Sequence, residues 1–201
     1  MMYTIFPTVI HSISTSTWKE SKDELIKFVY EERKKDPEGE HHSNRGGWQS
    51  RSNFHVNDNI LSSFVSKELH NYYSETGYYG DNIDLSIDGL WININFTDSH
   101  NIQHCHPCSD LAGVVWFKTP PNCGIIKFDS PQAYPYGSDI LACTDKYREQ
   151  LGHWMWYNIE PEEGKMIVFP SSLYHRVEPN LSNDDRISVS FNIWIRMNNF
   201  K

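Results

Sequence analysis

Two imidazoles two residues apart, His104 and His106, stand just ahead of an apolar run from Leu111 to Phe117. In an extended chain, residues i and i+2 share a face about 7 Å apart. Both rings can converge on one ion while Cys105 points away, and neutral imidazole is a preferred ligand of iron, zinc and copper. A further histidine, His175, follows the apolar run Lys165–Phe169 at a strand-to-turn junction. A lone histidine there is more often a structural hydrogen-bonder. Downstream of a His-x-His pair in a β-rich chain, it becomes the expected third ligand. Three ligands on one side of an octahedral ion leave positions open for substrate and dioxygen.

The last apolar run, from Arg186 to Arg196, alternates cleanly. Ile187, Val189, Phe191, Ile193 and Ile195 form one face; Arg186, Ser188, Ser190, Asn192, Trp194 and Arg196 form the other. The polar face either meets solvent or turns into a barrel, where Arg186 and Ser188 can hold a carboxylate through a charge-assisted pair. Asn93 and Asn95 form a matching polar row within Trp91–Thr97. Cys105-His106-Pro107-Cys108 also has Cys-x-x-Cys spacing, but a strand rather than a helix follows it, and Cys123 and Cys143 stand too far apart to supply a second zinc-binding pair.

The elements that position these groups are legible from periodicity. Thr4 to Ile13 reads as an opening strand that Pro7 confines to an edge. Ser21-Lys22-Asp23-Glu24 fits a capping box for a helix running to about Lys35. His41-His42 lies in a polar loop as a surface pair, and Asn44–Ser50 reads as a glycine-containing loop. Asp58 is expected to cap a second helix ending at Gly77. From Gly89 the period changes to two, with strands at Trp91–Thr97, Leu111–Phe117, Cys123–Phe128, His153–Ile159, Lys165–Phe169 and Arg186–Arg196. Such a run predicts an antiparallel sandwich or barrel with the two helices outside one sheet. Ser130–Gly152 breaks the rhythm and reads as a lid with a short helix at Asp145–Leu151. Trp116, Tyr134 and Tyr136 are candidate walls of a substrate pocket.

The 201 residues suit one domain, residues 1–201, made of an N-terminal part (1–88) and a β core (89–201). A net charge of −8 argues against duplex nucleic acid as the partner. No apolar run approaches the roughly 20 residues of a membrane span, and the first residues lack a signal-peptide pattern. Four cysteines are too few for a secreted disulfide scaffold. A cytoplasmic location is expected.

Taken together, His104-x-His106-Pro107 with its Leu-x-Gly-Val-Val strand, Phe169-Pro170-Ser171-Ser172-Leu173-x-His175-x-Val177, and Arg186-Ile187-Ser188-Val189-Ser190-Phe191-Asn192 resemble the 2-oxoglutarate- and Fe(II)-dependent oxygenases of marine bacteria and their phages. Phe6-Pro7-Thr8 and Gly46-Gly47-Trp48-Gln49-Ser50 match the same family. The resemblance implies a double-stranded β-helix (jelly roll), with Fe(II) as metal and 2-oxoglutarate as cosubstrate. It implies reaction with O2 to give succinate, CO2 and attack on a C–H bond. His175 becomes the distal histidine, Arg186 the partner of the cosubstrate's far carboxylate with Ser188 beside it, and Asn95 a further cosubstrate contact.

One position departs from the family's usual pattern, which is His-x-Asp or His-x-Glu. Here His106 occupies the second place. Asp110 is the alternative ligand, but only if the chain bends at Pro107, since four extended residues span roughly 13 Å. The reading is thus an iron- and 2-oxoglutarate-dependent oxygenase acting on a small molecule or a side chain. Its rivals are a cupin-like three-histidine metalloenzyme that does not use 2-oxoglutarate, and a non-catalytic jelly-roll binding module.

Overall fold

Period-two alternation in the second half of the chain builds a mainly β fold, in which the described residues form two antiparallel sheets and three helices. The computed structural model describes residues 6–77, 80, 83–132, 143–152 and 154–197. In chain order these form β1 His11–Ser14, α1 Trp18–Lys35, β2 Asn44–Arg45, β3 Trp48–Gln49, α2 Ile60–Thr76, β4 Ile83–Asn95, β5 His100–His104, β6 Leu111–Lys118, β7 Ile126–Asp129, α3 Asp145–Leu151, β8 Trp156–Ile159, β9 Lys165–Pro170, β10 His175–Val177 and β11 Arg186–Met197. One sheet has the order β1-β9-β6-β11-β4-β3 and the other β2-β5-β10-β7-β8. None of the helices among these residues is long and apolar enough to cross a membrane.

The larger sheet is buried on both faces, and alternation sorts its side chains between them. Ile92 and Ile94 of β4, Val115 and Phe117 of β6, and Ile187, Val189, Phe191 and Ile193 of β11 pack with Leu25 and Val29 of α1 and Leu61, Phe64, Val65 and Leu69 of α2. On the opposite face, Ala112, Val114 and Trp116 of β6 and Ile167 and Phe169 of β9 meet Ile126 and Phe128 of β7 from the smaller sheet. The Phe128 and Phe169 rings stand edge to face at 4.9 Å. Gly113 is required in this layering: a Cβ there would come within 2.3 Å of the Phe191 ring.

Several local expectations shift. The first strand starts at His11, and Thr4 and Ile5 lie outside the described residues. Helix α1 begins one turn before the Ser21 capping box. Thr17 is its N-cap without a side-chain cap bond, because the carboxylate of Glu68, from α2, does the capping. Glu68 accepts from the Ser16 and Thr17 amides at 2.7 and 2.9 Å and from both hydroxyls. Asn59, not Asp58, caps α2 through a reciprocal box with Ser62, and Gly77 closes it in the left-handed region. The Asn44–Ser50 loop resolves into β2 and β3, which join different sheets across Gly46-Gly47. Strands β7 and β8 start later than Cys123 and His153, and His153 lies outside the described residues. The short helix falls at Asp145–Leu151, as expected. The predicted lid crosses residues 133–142, so Tyr134 and Tyr136 also lie outside the described residues.

Candidate metal centre

Two strands that period-two reading passed over, β5 and β10, carry the site. They pair antiparallel with His104 directly opposite His175. Directly opposed residues project to the same face, so register alone brings these two rings together at 4.4 Å between centroids. His106 comes from the turn after β5. Its amide donates to the Ser171 carbonyl at 2.8 Å, and the Ser171 amide donates to the Asp110 carbonyl at 3.1 Å. The Ser171 hydroxyl closes the clamp on the Ser109 carbonyl. Pro170-Ser171 thus pins the 106–110 turn, and Cys108 takes a left-handed φ of 72° within it. The His106 ring ends 5.2 Å from those of His104 and His175, stacked on His175 and backed by Trp91 at 5.6 Å.

One nitrogen from each of the three rings lies within 4.8 Å of the others. Backbone carbonyls select the tautomers. His104 Nδ1 sits 2.7 Å from the Ile102 carbonyl and His175 Nδ1 2.9 Å from that of Leu173. A carbonyl can only accept, so these nitrogens carry the protons and Nε2 keeps its lone pair. Burial, and then the neighbouring imidazoles, push His106 down to about 4 and His175 to about 3. Burial also lowers His104. All three rings are therefore neutral at pH 7, the state a metal ligand requires. Asp110 stands outside this cluster; its carboxylate instead accepts from the Ile195 amide at 2.7 Å.

The rings open onto a cavity between the sheets, and here the polar face of β11 turns inward. Arg186, Ser188 and Ser190 line it with Asn93 and Asn95 of β4 and Trp116 of β6. Trp194 and Arg196 lie beyond a bulge at Asn192/Ile193 and are exposed. Arg186 is 1 % exposed. Its Nη1 donates to the carbonyls of Cys123, Gly124 and Glu178, whereas Nη2 has no protein partner. Burial pulls its pKa down to about 10, still charged at neutral pH. Asn95 faces Arg186 in register and donates to Asn101 Oδ1 at 3.4 Å.

The sequence reading thus placed His104, His106, His175, Arg186, Ser188, Asn95 and Trp116 around one cavity, and the structure assembles all seven there. It missed Trp91 as a wall residue and Ser171 as the clamp, whereas Asn93 and Ser190 stand on the two polar rows it set against either solvent or a barrel interior. Trp91 was signalled by sharing the odd positions of β4 with Asn93 and Asn95. Ser171 had no signal beyond its neighbourhood.

A family model described as "Putative 2OG-Fe(II) oxygenase" matches residues 89–192, just over half of the chain. No curated protein matches the sequence. Among solved structures, a Pseudomonas putida prolyl-4-hydroxylase superposes with a TM-score of 0.63 at 11 % identity, over 96 % of this chain and 94 % of that one. The non-heme α-ketoglutarate-dependent carbocyclase SnoK from nogalamycin biosynthesis gives 0.65 at 11 % identity, over 92 % and 79 %. HygX from Streptomyces hygroscopicus, with nickel, 2-oxoglutarate and hygromycin B bound, gives 0.61 at 10 % identity, over 93 % and 83 %. These likenesses establish the double-stranded β-helix fold.

Proposed function

Because this chain belongs to the 2OG-Fe(II) oxygenase family, we propose that it hydroxylates a C–H bond of a small molecule or a side chain. In this reading His104, His106 and His175 hold the iron, and Arg186 with Ser188 holds the cosubstrate. Membership makes the protein an oxidoreductase that uses Fe(II) and 2-oxoglutarate. The bound iron and cosubstrate supply the oxidation, in which O2 and 2-oxoglutarate become succinate and CO2 while one oxygen atom enters the substrate's C–H bond.

The residues fit both groups. Three neutral imidazoles with converging lone pairs suit a borderline divalent ion, and they leave its two positive charges for a dicarboxylate to offset. The observation that carries the reading lies at the other end of the cavity. A fully buried guanidinium retains an unpartnered Nη2, and no carboxylate stands among the cavity's described lining residues. An unpaired buried donor on a charged group is costly unless an anion completes it. Ser188, one inward-facing position along β11, adds a hydroxyl beside that anion. Asn95, opposite Arg186 on β4, borders the same end, and Trp116, opposite Ser188 on β6, walls the cavity on the other side of β11.

The test is anaerobic titration of Fe(II)-loaded protein with 2-oxoglutarate, followed by succinate measurement in air over a broad panel of substrates. One bound cosubstrate per chain and succinate release are expected. If 2-oxoglutarate neither binds nor is consumed, the reading fails.

A further inference from the structure

Cys105 and Cys108 flank His106 with the spacing of a redox pair, and neither iron nor cosubstrate has a use for their thiols. Neither is in a disulfide; Cys105 is half-buried and Cys108 exposed. Among the described residues, the histidine triad is the only group of three or more side chains placed to hold a metal. The two thiols therefore do not build a second metal site, and the chemistry left to them is with each other.

The backbone between them is set against a bridge. Pro107 and Cys108 are the central residues of a turn, and Cys108 has a φ of 72°. Proline followed by a positive φ makes this turn type II, which leaves Pro107 extended. His106 precedes a proline and is extended as well. Three extended steps separate the two α-carbons by roughly 10 Å and send the two side chains to opposite sides. A disulfide needs α-carbons within about 7 Å and converging side chains. Bridging the pair therefore requires the backbone of His106-Pro107 to refold.

The present turn is held from outside. A left-handed φ suits glycine, asparagine and aspartate, and it strains a cysteine. Ser171 imposes it, through bonds to the His106 amide and to the carbonyls of Ser109 and Asp110. A metal bound by His106 would be one more tie on the same segment. Releasing these ties relaxes Cys108, frees the two thiols to meet, and takes the His106 ring away from His104 and His175.

We propose that Cys105 and Cys108 form a reversible disulfide that withdraws His106 from the metal centre, so that the oxidised turn and a fully ligated metal exclude each other. The oxidant is a peroxide. The exposed Cys108 sulfur takes one peroxide oxygen and becomes a sulfenic acid, releasing one water. The Cys105 sulfur then attacks that sulfur, the S–S bond forms, and the S–OH oxygen leaves as a second water. Two thiols are oxidised and one peroxide is reduced to two waters. A small-molecule thiol reverses the bridge by exchange. The proposal rests on His106 being a metal ligand.

The test treats metal-free protein with hydrogen peroxide, removes the excess, and maps the cysteines by peptide mass. A Cys105–Cys108 bridge that dithiothreitol opens is expected. Anaerobic calorimetry then compares Fe(II) binding by the oxidised and reduced forms. Oxidation is expected to weaken Fe(II) about ten- to hundred-fold, the scale on which a ligand's lost support is felt, and reduction to restore it. By linkage, saturating Fe(II) should shift the dithiol–disulfide equilibrium toward the dithiol by the same factor, as read anaerobically in a glutathione redox buffer. Cys105→Ser, and Cys108→Asn, which suits the left-handed conformation, should each bind Fe(II) like the reduced wild type before and after peroxide. Absence of the Cys105–Cys108 bridge, unchanged Fe(II) affinity in the bridged protein, or an equal loss of Fe(II) binding by the peroxide-treated variants would each overturn the proposal. Failure of the reduced wild type to bind Fe(II) would instead remove the metal reading itself.

Discussion

Replacing Arg186 by methionine separates its two roles. The unbranched stem keeps most of the packing, and the guanidinium is lost. In the ligand-free protein two effects oppose. A pKa held near 10 by burial corresponds to roughly 3 kcal/mol of unfavourable desolvation, which the variant escapes. Against this, the carbonyls of Cys123, Gly124 and Glu178 lose their shared donor, at about 1–3 kcal/mol in all. The net change in folding stability should stay within about 2 kcal/mol, or roughly 4–8 °C in Tm for a chain of this size. Cosubstrate binding has no such compensation. A buried carboxylate left without its cation costs about 3–5 kcal/mol, so the Kd for 2-oxoglutarate should rise by a factor between roughly 10² and several thousand. Arg186→Lys should fall between, because a point charge cannot span three carbonyls and a carboxylate as the planar fork does. The assay is anaerobic calorimetry with Fe(II), alongside differential scanning of the metal-free protein. Methionine-variant affinity within three-fold of wild type would refute the carboxylate assignment and favour a three-histidine enzyme that does not use 2-oxoglutarate. Iron content should be unchanged throughout.

Three further outcomes follow from the same geometry. His175→Ala should reduce bound iron by at least about 100-fold in affinity while the protein still folds, as read by metal analysis and circular dichroism; full iron occupancy would remove His175 from the ligand set. The metal-free protein should lose stability as pH falls from about 6.5 to 5. The three histidines are held neutral in the fold, with His106 near 4 and His175 near 3, but take up protons when unfolded. The slope should reach at most about 1.4 kcal/mol per pH unit for each, and a flat profile in urea unfolding across that window would contradict their depressed values. Glu68 is different. Burial acts to raise its pKa, but hydrogen bonds from Thr17 and Ser16 outweigh this and lower it. Its contribution is therefore present above the usual glutamate range and lost as pH drops below it. Glu68→Gln should cost about 1–3 kcal/mol at pH 7, or roughly 3–10 °C in Tm; no change would show that α1 does not need this cap.

Sequence by itself determined which residues could share a cavity. Strand alternation is a local property, so Arg186, Ser188 and Ser190 had to project together, as did Asn93 and Asn95, with their apolar neighbours on the opposite face. His104 and His106 were legible because ligand chemistry restricts residue type as well as spacing. Tertiary structure decided everything that depends on pairing between distant segments. Alternation could not say whether the polar face of β11 met solvent or the interior; the two helices covering its apolar face answered that. It could not place β5 or β10 either, since neither His100–His104 nor His175–Val177 shows apolar periodicity. Those strands are short, and they exist because neighbours complete their hydrogen bonds. Their register sets His104 against His175, and Ser171 holds the turn that brings His106 to them. The same turn commits Asp110 to the Ile195 amide. That the His106 imidazole rather than the Asp110 carboxylate stands beside His104 and His175 was thus set by hydrogen bonds to residues more than sixty positions away in the chain, which no local pattern can carry.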